Sequence, residues 1–206
     1  DLVTPQYLSD LVCWSAIGAR TTESQSHREM ASGLSMPVGF KNNTTGSIQV
    51  AIDAIKSALT SHHFLGIDPE GRTSVFKTTG NPYCHVVLRG GNKKTNFDPE
   101  SVKHCEEELE KANLRQKIMI DCSHGNSNKD HRKQPQVFES CIDQIMQGNH
   151  SIAGMMVESN LFEGNQPIPK DLSQLQYGVS VTDKCIDWKT TEEMILVGYE
   201  KLLKLS

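Results

Sequence analysis

Five short apolar runs recur along this 206-residue chain, and each ends on a residue that carries charge or can ligate a metal. Arg20 follows LVCWSAIGA, Lys41 follows PVGF, Arg89 follows CHVVL, His124 follows IMIDCS and Glu158 follows AGMMV. The stretches between them are more polar and hold apolar residues at helical spacing. Such alternation predicts parallel strands joined by helical crossovers, because a parallel pair cannot be closed by a tight turn. In a β/α barrel, functional side chains stand at the C-terminal ends of the strands while the strand bodies stay apolar, so the run-ending residues are the candidates for chemistry. Three cations come first, and His124, Glu158 and later Asp183 come after. That order points to an anionic substrate held beside a divalent metal.

Bulk properties narrow the class. A 36% hydrophobic content in 206 residues supports one sizeable core, so the whole chain, 1–206, reads as a single domain. The net charge of −4, a pI near 6.1 and dispersed Lys and Arg exclude the electrostatic footprint of a nucleic-acid binder. No apolar stretch approaches the roughly 20 residues of a membrane helix, and DLVTPQYLSD lacks the basic and apolar regions of a signal peptide, so a cytoplasmic location is expected. Six cysteines fall singly, with no CxxC pair, and read as reduced thiols. The first residue is Asp, in what reads as the loop after a strand, so further chain is expected upstream.

The elements follow from pattern. A strand is expected at about 11–16, then a helix with Thr22 or Ser26 as cap and its end near Gly33, then a strand at 37–40. Ile48, Ala51, Ile52, Ile55 and Leu59 form one apolar helical face. Two runs, 63–67 and 73–78, flank Asp68-Pro69-Glu70-Gly71, whose turn chemistry predicts an antiparallel hairpin added to the parallel scheme. Further strands are expected at 85–88, 118–121 and 153–157, with helices at about 101–112 and 137–147. After a long loop, 159–182, Thr190 and Glu193 open a C-terminal helix whose Met194, Val197 and Leu202 can face the core. About five strand–helix units result, against eight in a closed barrel. An open five-stranded parallel sheet is the alternative.

Each candidate residue also has an ordinary reading. Arg20, after the small residues Gly18 and Ala19, can make a bidentate contact to phosphate or carboxylate, or be a surface arginine. Lys41 and Arg89 are either solvated strand ends or, together with Arg20, an anion site at one mouth. A lone His124 is commonly a core histidine, but Glu158 at the end of the next strand sets a hard oxygen donor near its imidazole. Asp183 completes a ligand set or caps a helix. Mixed His and carboxylate shells suit manganese, iron, cobalt or zinc.

The motifs Gly18-Ala19-Arg20-Thr21-Thr22-Glu23-Ser24-Gln25, Pro37-Val38-Gly39-Phe40-Lys41-Asn42, Leu88-Arg89-Gly90-Gly91 and Glu163-Gly164-Asn165-Gln166 resemble those of the 3-deoxy-D-arabino-heptulosonate 7-phosphate (DAHP) synthases, in the feedback-regulated form of bacteria and fungi. The resemblance implies a (β/α)8 TIM barrel of which this chain supplies about the last five units plus the inserted hairpin. It implies condensation of phosphoenolpyruvate with erythrose 4-phosphate at the entry to the shikimate pathway, with a divalent metal. Ala19, Arg20, Lys41 and Arg89 would hold phosphoenolpyruvate, His124, Glu158 and Asp183 the metal, and Lys41 and His124 would act in catalysis. Pro5, Gln6, Leu34, Phe64 and Gly66 would surround a pocket for phenylalanine or tyrosine as feedback inhibitor, and a homodimer or tetramer is implied. The family's cysteine ligand and its Lys-Pro-Arg-Thr motif, both from earlier strands, have no counterpart here. A non-catalytic anion-binding or regulatory chain, and another metal-dependent barrel lyase, are the rival expectations.

Overall fold

The computed structural model describes residues 11–205. Seven strands and five α-helices follow the chain: β1 (Ser15–Ile17), α1 (Gln25–Ser32), β2 (Val38–Lys41), α2 (Gln49–Ala58), β3 (His63–Ile67), β4 (Thr73–Lys77), β5 (His85–Leu88), α3 (Pro99–Lys111), β6 (Ile118–Asp121), α4 (Gln134–Met146), β7 (Ile152–Met156) and α5 (Trp188–Leu202). A five-stranded sheet has the order β1-β2-β5-β6-β7, and β3-β4 form a separate pair. The fold is mixed α/β with a mainly parallel sheet. The described chain divides into two compact units, one taking in the chain through Leu88 with Cys105–Met119, the other Arg89–His104 and everything from Ile120 on.

In the first unit β1, β2 and β5 are parallel, with Ser15 opposite Val38 and Gly39 opposite His85. Their bodies are buried through Val38, Phe40, Val86, Val87 and Leu88, as expected of a sheet covered on both faces. Strand β1 is shorter and later than the apolar run 11–16 suggests, since Leu11 and Val12 are exposed. Gly39 is required by space: a Cβ there would lie 2.5 Å from Val87 Cγ2 and 3.0 Å from the Trp14 indole. That indole donates from Nε1 to His85 Nε2 at 3.1 Å. Helix α2 buries Ala51, Ile52, Ala54, Ile55 and Ala58, the predicted face with Leu59 left half-exposed at its end. Neither predicted cap serves α1: Ser24 occupies the N-cap position, and Thr22 is used elsewhere. The hairpin lies where its turn residues predict it, paired from His63 with Lys77 to Ile67 with Thr73. Its turn closes on Asp68, with Gly71 at φ +81°.

In the second unit α5 begins at Trp188, with the Asp187 side chain accepting from the Thr190 N–H. The helix buries Thr191, Met194 and Gly198, while Val197 is exposed, contrary to the sequence reading. The reason is packing against α4: a Cβ on Gly198 would touch the Phe138 ring and Ile142, so this glycine, rather than an apolar side chain, marks the close approach. The segment 159–182 is pinned more than its length suggests. Ser159 pairs in parallel with Ile186, Gly164 pairs antiparallel with Cys185, and the Gln166 N–H reaches the Ser180 carbonyl at 2.7 Å.

Candidate metal and anion site

Strand β6 delivers His124 through a tight turn. The Asn126 and Ser127 N–H groups donate back to the Ser123 carbonyl, and His124 itself has φ +48°, a left-handed conformation that costs a non-glycine residue energy. Strand β7 delivers Glu158, two residues past Met156. Gln134, fully buried at the start of α4, clamps that peptide from both sides: its Nε2 donates to the Glu158 carbonyl at 3.0 Å, and its Oε1 accepts from the Glu158 N–H at 2.8 Å. Asp183 is held by the chain that follows it, because the Ile186 N–H donates to the Glu158 carbonyl and the Asn160 N–H donates to the Ile186 carbonyl, each at 3.0 Å. This short parallel pairing beside β7 escaped the pattern reading, as TDKCIDW has no apolar run. Asp187, not Asp183, caps the helix.

The result is one cluster. His124 Nε2 lies 3.6 Å from Glu158 Oε1 and 3.7 Å from Asp183 Oδ2, and one donor atom from each residue falls within 4.8 Å of the others. Donors bound to one ion at about 2.1 Å stand about 3–4 Å apart, so an imidazole nitrogen and two carboxylate oxygens so placed fit a divalent cation with positions left open. Two further residues, missed at the sequence level, touch the cluster. Asp121, wholly buried, has Oδ2 2.9 Å from His124 Nδ1, with the ring turned off hydrogen-bond alignment, and Oδ1 accepts from the Ser123 N–H at 2.9 Å. Ser123 Oγ donates to Glu158 Oε2 at 2.7 Å. The signal was present in Asp121-Cys122-Ser123-His124, where a carboxylate ends an apolar strand three residues before the histidine.

Arg89 belongs to the same unit, and its backbone is bonded to the histidine turn. Its carbonyl accepts from the N–H groups of Gly125 at 2.9 Å and Asn126 at 3.2 Å. The Asn126 Oδ1 in turn accepts from the Asn96 N–H at 2.8 Å, and Asn96 Oδ1 accepts from the Gly90 N–H at 2.7 Å. Arg89 is largely buried, an unusual position for a guanidinium. In the first unit Lys41 is the last residue of β2 and Arg20 lies three residues beyond β1, so both follow parallel strands to the same edge. Thr22 Oγ1 donates to the Lys41 carbonyl at 2.8 Å and to the Gly18 carbonyl at 3.0 Å, tying the Ala19-Arg20 turn to the end of β2.

Of the effector candidates, Phe64 and the buried Gly66 lie on β3, with the Phe64 ring stacked on Phe76 at 5.9 Å, and Leu34 lies between α1 and β2. Pro5 and Gln6 fall outside the described residues. Cys122 is fully buried, and the adjacent Cys141 thiol and burial both push its thiol up, away from the reactive thiolate. Among the described residues no helix is long and apolar enough to cross a membrane.

Known proteins are similar to this chain over most of its length. Residues 1–195 match the DAHP synthetase I family. The Tyr-sensitive phospho-2-dehydro-3-deoxyheptonate aldolase of Escherichia coli K12 is 58% identical over 192 residues, covering 93% of this chain and 54% of that protein. The phenylalanine-inhibited enzyme of that name from Saccharomyces cerevisiae is 52% identical over 201 residues, covering 95% and 54%. The solved phospho-2-dehydro-3-deoxyheptonate aldolase of Francisella tularensis superposes with a TM-score of 0.92 at 52% identity, over 98% of this chain and 58% of that one. The chain thus spans about half the length of the curated relatives it matches.

Proposed function

The chain belongs to the DAHP synthetase I family, and from that premise we propose that it carries the metal site and the phosphoenolpyruvate-binding residues of an enzyme condensing phosphoenolpyruvate with erythrose 4-phosphate to DAHP and phosphate. The observation that carries this reading is the approach of His124, Glu158 and Asp183 within 4.8 Å, with the His124 turn bonded to the Arg89 backbone. The relatives' names give the reaction class, and the cluster supplies the donors for its metal.

His124, Glu158 and Asp183 would hold the ion. A divalent cation bound by them, manganese, iron, cobalt or zinc, would supply a Lewis acid for the aldehyde of erythrose 4-phosphate. Arg20 and Arg89 bind the phosphate and carboxylate of phosphoenolpyruvate, for which planar guanidinium donors are suited. The small side chain of Ala19 lets the ligand approach the backbone beside Arg20. Lys41 stabilises the negative charge that builds as C3 attacks the aldehyde, water adds at C2 and phosphate departs. His124 would act in the reaction as a ligand of that ion. The whole enzyme is a (β/α)8 barrel, acting in the cytoplasm as a homodimer or tetramer at the first step of aromatic amino acid synthesis. Phenylalanine or tyrosine inhibits it at a pocket that includes Leu34, Phe64 and Gly66.

Phosphate release from phosphoenolpyruvate, with erythrose 4-phosphate and manganese, tests the reading on the protein at its natural length. Glu158→Gln and Lys41→Met are each expected to lower kcat by about 100-fold or more, with only Glu158→Gln also weakening manganese binding. Manganese binding with no phosphate release by the parent protein would reject the enzyme reading in favour of a binding module.

A further inference from the structure

We propose that Asp121 is the positioning residue of the metal centre, one buried carboxylate that sets the orientation of two of its three ligands. The inference rests on the reading of His124, Glu158 and Asp183 as ligands. Asp121 is fully buried at the end of β6, and each oxygen has its own task. Oδ2 stands 2.9 Å from His124 Nδ1, on the opposite edge of the ring from the cluster. The ring stands off hydrogen-bond alignment, but a carboxylate charge this close favours the proton on Nδ1 and leaves the lone pair on Nε2, the atom nearest Glu158 and Asp183. Metal-bound imidazoles are commonly oriented by an acceptor on their second nitrogen in this way.

Oδ1 accepts from the Ser123 N–H at 2.9 Å, which fixes the residue whose hydroxyl donates to Glu158 Oε2 at 2.7 Å. That bond occupies one carboxylate oxygen and leaves Oε1 toward the imidazole. The path from Asp121 to each ligand is therefore one contact to His124, and two, through Ser123, to Glu158. A left-handed His124 is a cost that the turn sustains, and the Asp121 contacts are among those that hold it.

A purely structural role for Asp121, as a cap of the turn, is separated from this by the isosteric Asp121→Asn. If the amide oxygen keeps the Ser123 N–H, the NH2 group faces His124 Nδ1. The ring must then accept there and carry its proton on Nε2, where the ion would bind. Manganese titration followed by electron paramagnetic resonance is expected to show 10–100-fold weaker binding in Asp121→Asn, at an unchanged far-UV circular dichroism spectrum. Nitrogen-15 spectra of the metal-free parent in neutral to alkaline buffer are expected to show His124 protonated on Nδ1, and Asp121→Asn to show the opposite tautomer. A folded Asp121→Asn that binds manganese as tightly as the parent overturns the proposal. So does a parent His124 protonated on Nε2, a result that decides the matter even where the variant does not fold. A parent that binds no manganese at all removes the ligand reading itself, whereas equal binding by parent and variant removes only the role of Asp121.

Discussion

Gly125 shows how a residue without a side chain positions two that have them. A Cβ on it would lie 2.7 Å from Gly90 C, 2.8 Å from the Gly91 oxygen and 2.9 Å from the Arg89 oxygen, so the histidine turn and the arginine turn meet backbone to backbone. Gly90 answers it with φ +74°, a conformation open to glycine and strained for other residues. Gly125→Ala must push these turns apart, and overpacking of this kind costs about 1–3 kcal/mol. The variant is expected to lower the urea midpoint and, on the proposed function, to weaken both manganese and phosphoenolpyruvate binding, since separating the turns displaces both His124 and Arg89. An unchanged midpoint with either affinity intact would mean that the turns give way independently.

At the scale of elements, the first unit is held together by a buried polar side chain as much as by its apolar faces. Asn81, almost fully buried before β5, donates from Nδ2 to the Ala31 carbonyl at the end of α1 (3.1 Å) and to the Met36 carbonyl at the entrance to β2 (2.9 Å). Its Oδ1 accepts from the Tyr83 N–H at 2.9 Å, and its own N–H donates to the Ala58 carbonyl at the end of α2. One residue thus sets the spacing of α1, α2, β2 and β5. Asn81→Ala would leave the two carbonyls and the Tyr83 N–H without that partner, at a cost of about 2–4 kcal/mol given the usual penalty for buried groups. Denaturation of Asn81→Ala beside Asn81→Asp measures it, and a loss below the effect of an ordinary surface substitution would show that water replaces the side chain. Lys41 rides on β2, so on the proposed function the stronger effect should be on phosphoenolpyruvate affinity.

For the molecule as a whole, His85 and Asp98 act in the same direction as pH falls. Burial holds His85 below its usual value of 6.5, partly opposed by its contact to the Tyr83 carbonyl, so the folded chain resists a proton that the unfolded chain accepts. Stability contributed by neutral His85 is full above 6.5 and declines as pH falls below it. Asp98 is held below 3.8: burial raises it, but the hydroxyl and N–H of Ser101 prevail. Its contribution is present above 3.8 and is lost as pH falls through the lowered folded value. Urea midpoints should therefore fall from neutral pH downward in two stages, and His85→Gln should flatten the first; a first stage that survives that change would assign it to another histidine.

The parallel sheet, the hairpin and the strand-end placement of His124 and Glu158 were readable in the chain, because apolar periodicity, turn residues and the residue after a strand are local properties, whereas Asp183 read equally as a helix cap. What joins these parts was not. Asp121 reads as a strand end until the turn folds its carboxylate under the imidazole. Gln134 reads as a polar residue at a helix start until it clamps Glu158. Gly125 and Gly198 carry no pattern at all, and their meaning comes from what lies across from them. Burial and hydrogen bonding between residues far apart in sequence depend on where whole elements pack, and no window along the chain contains that information.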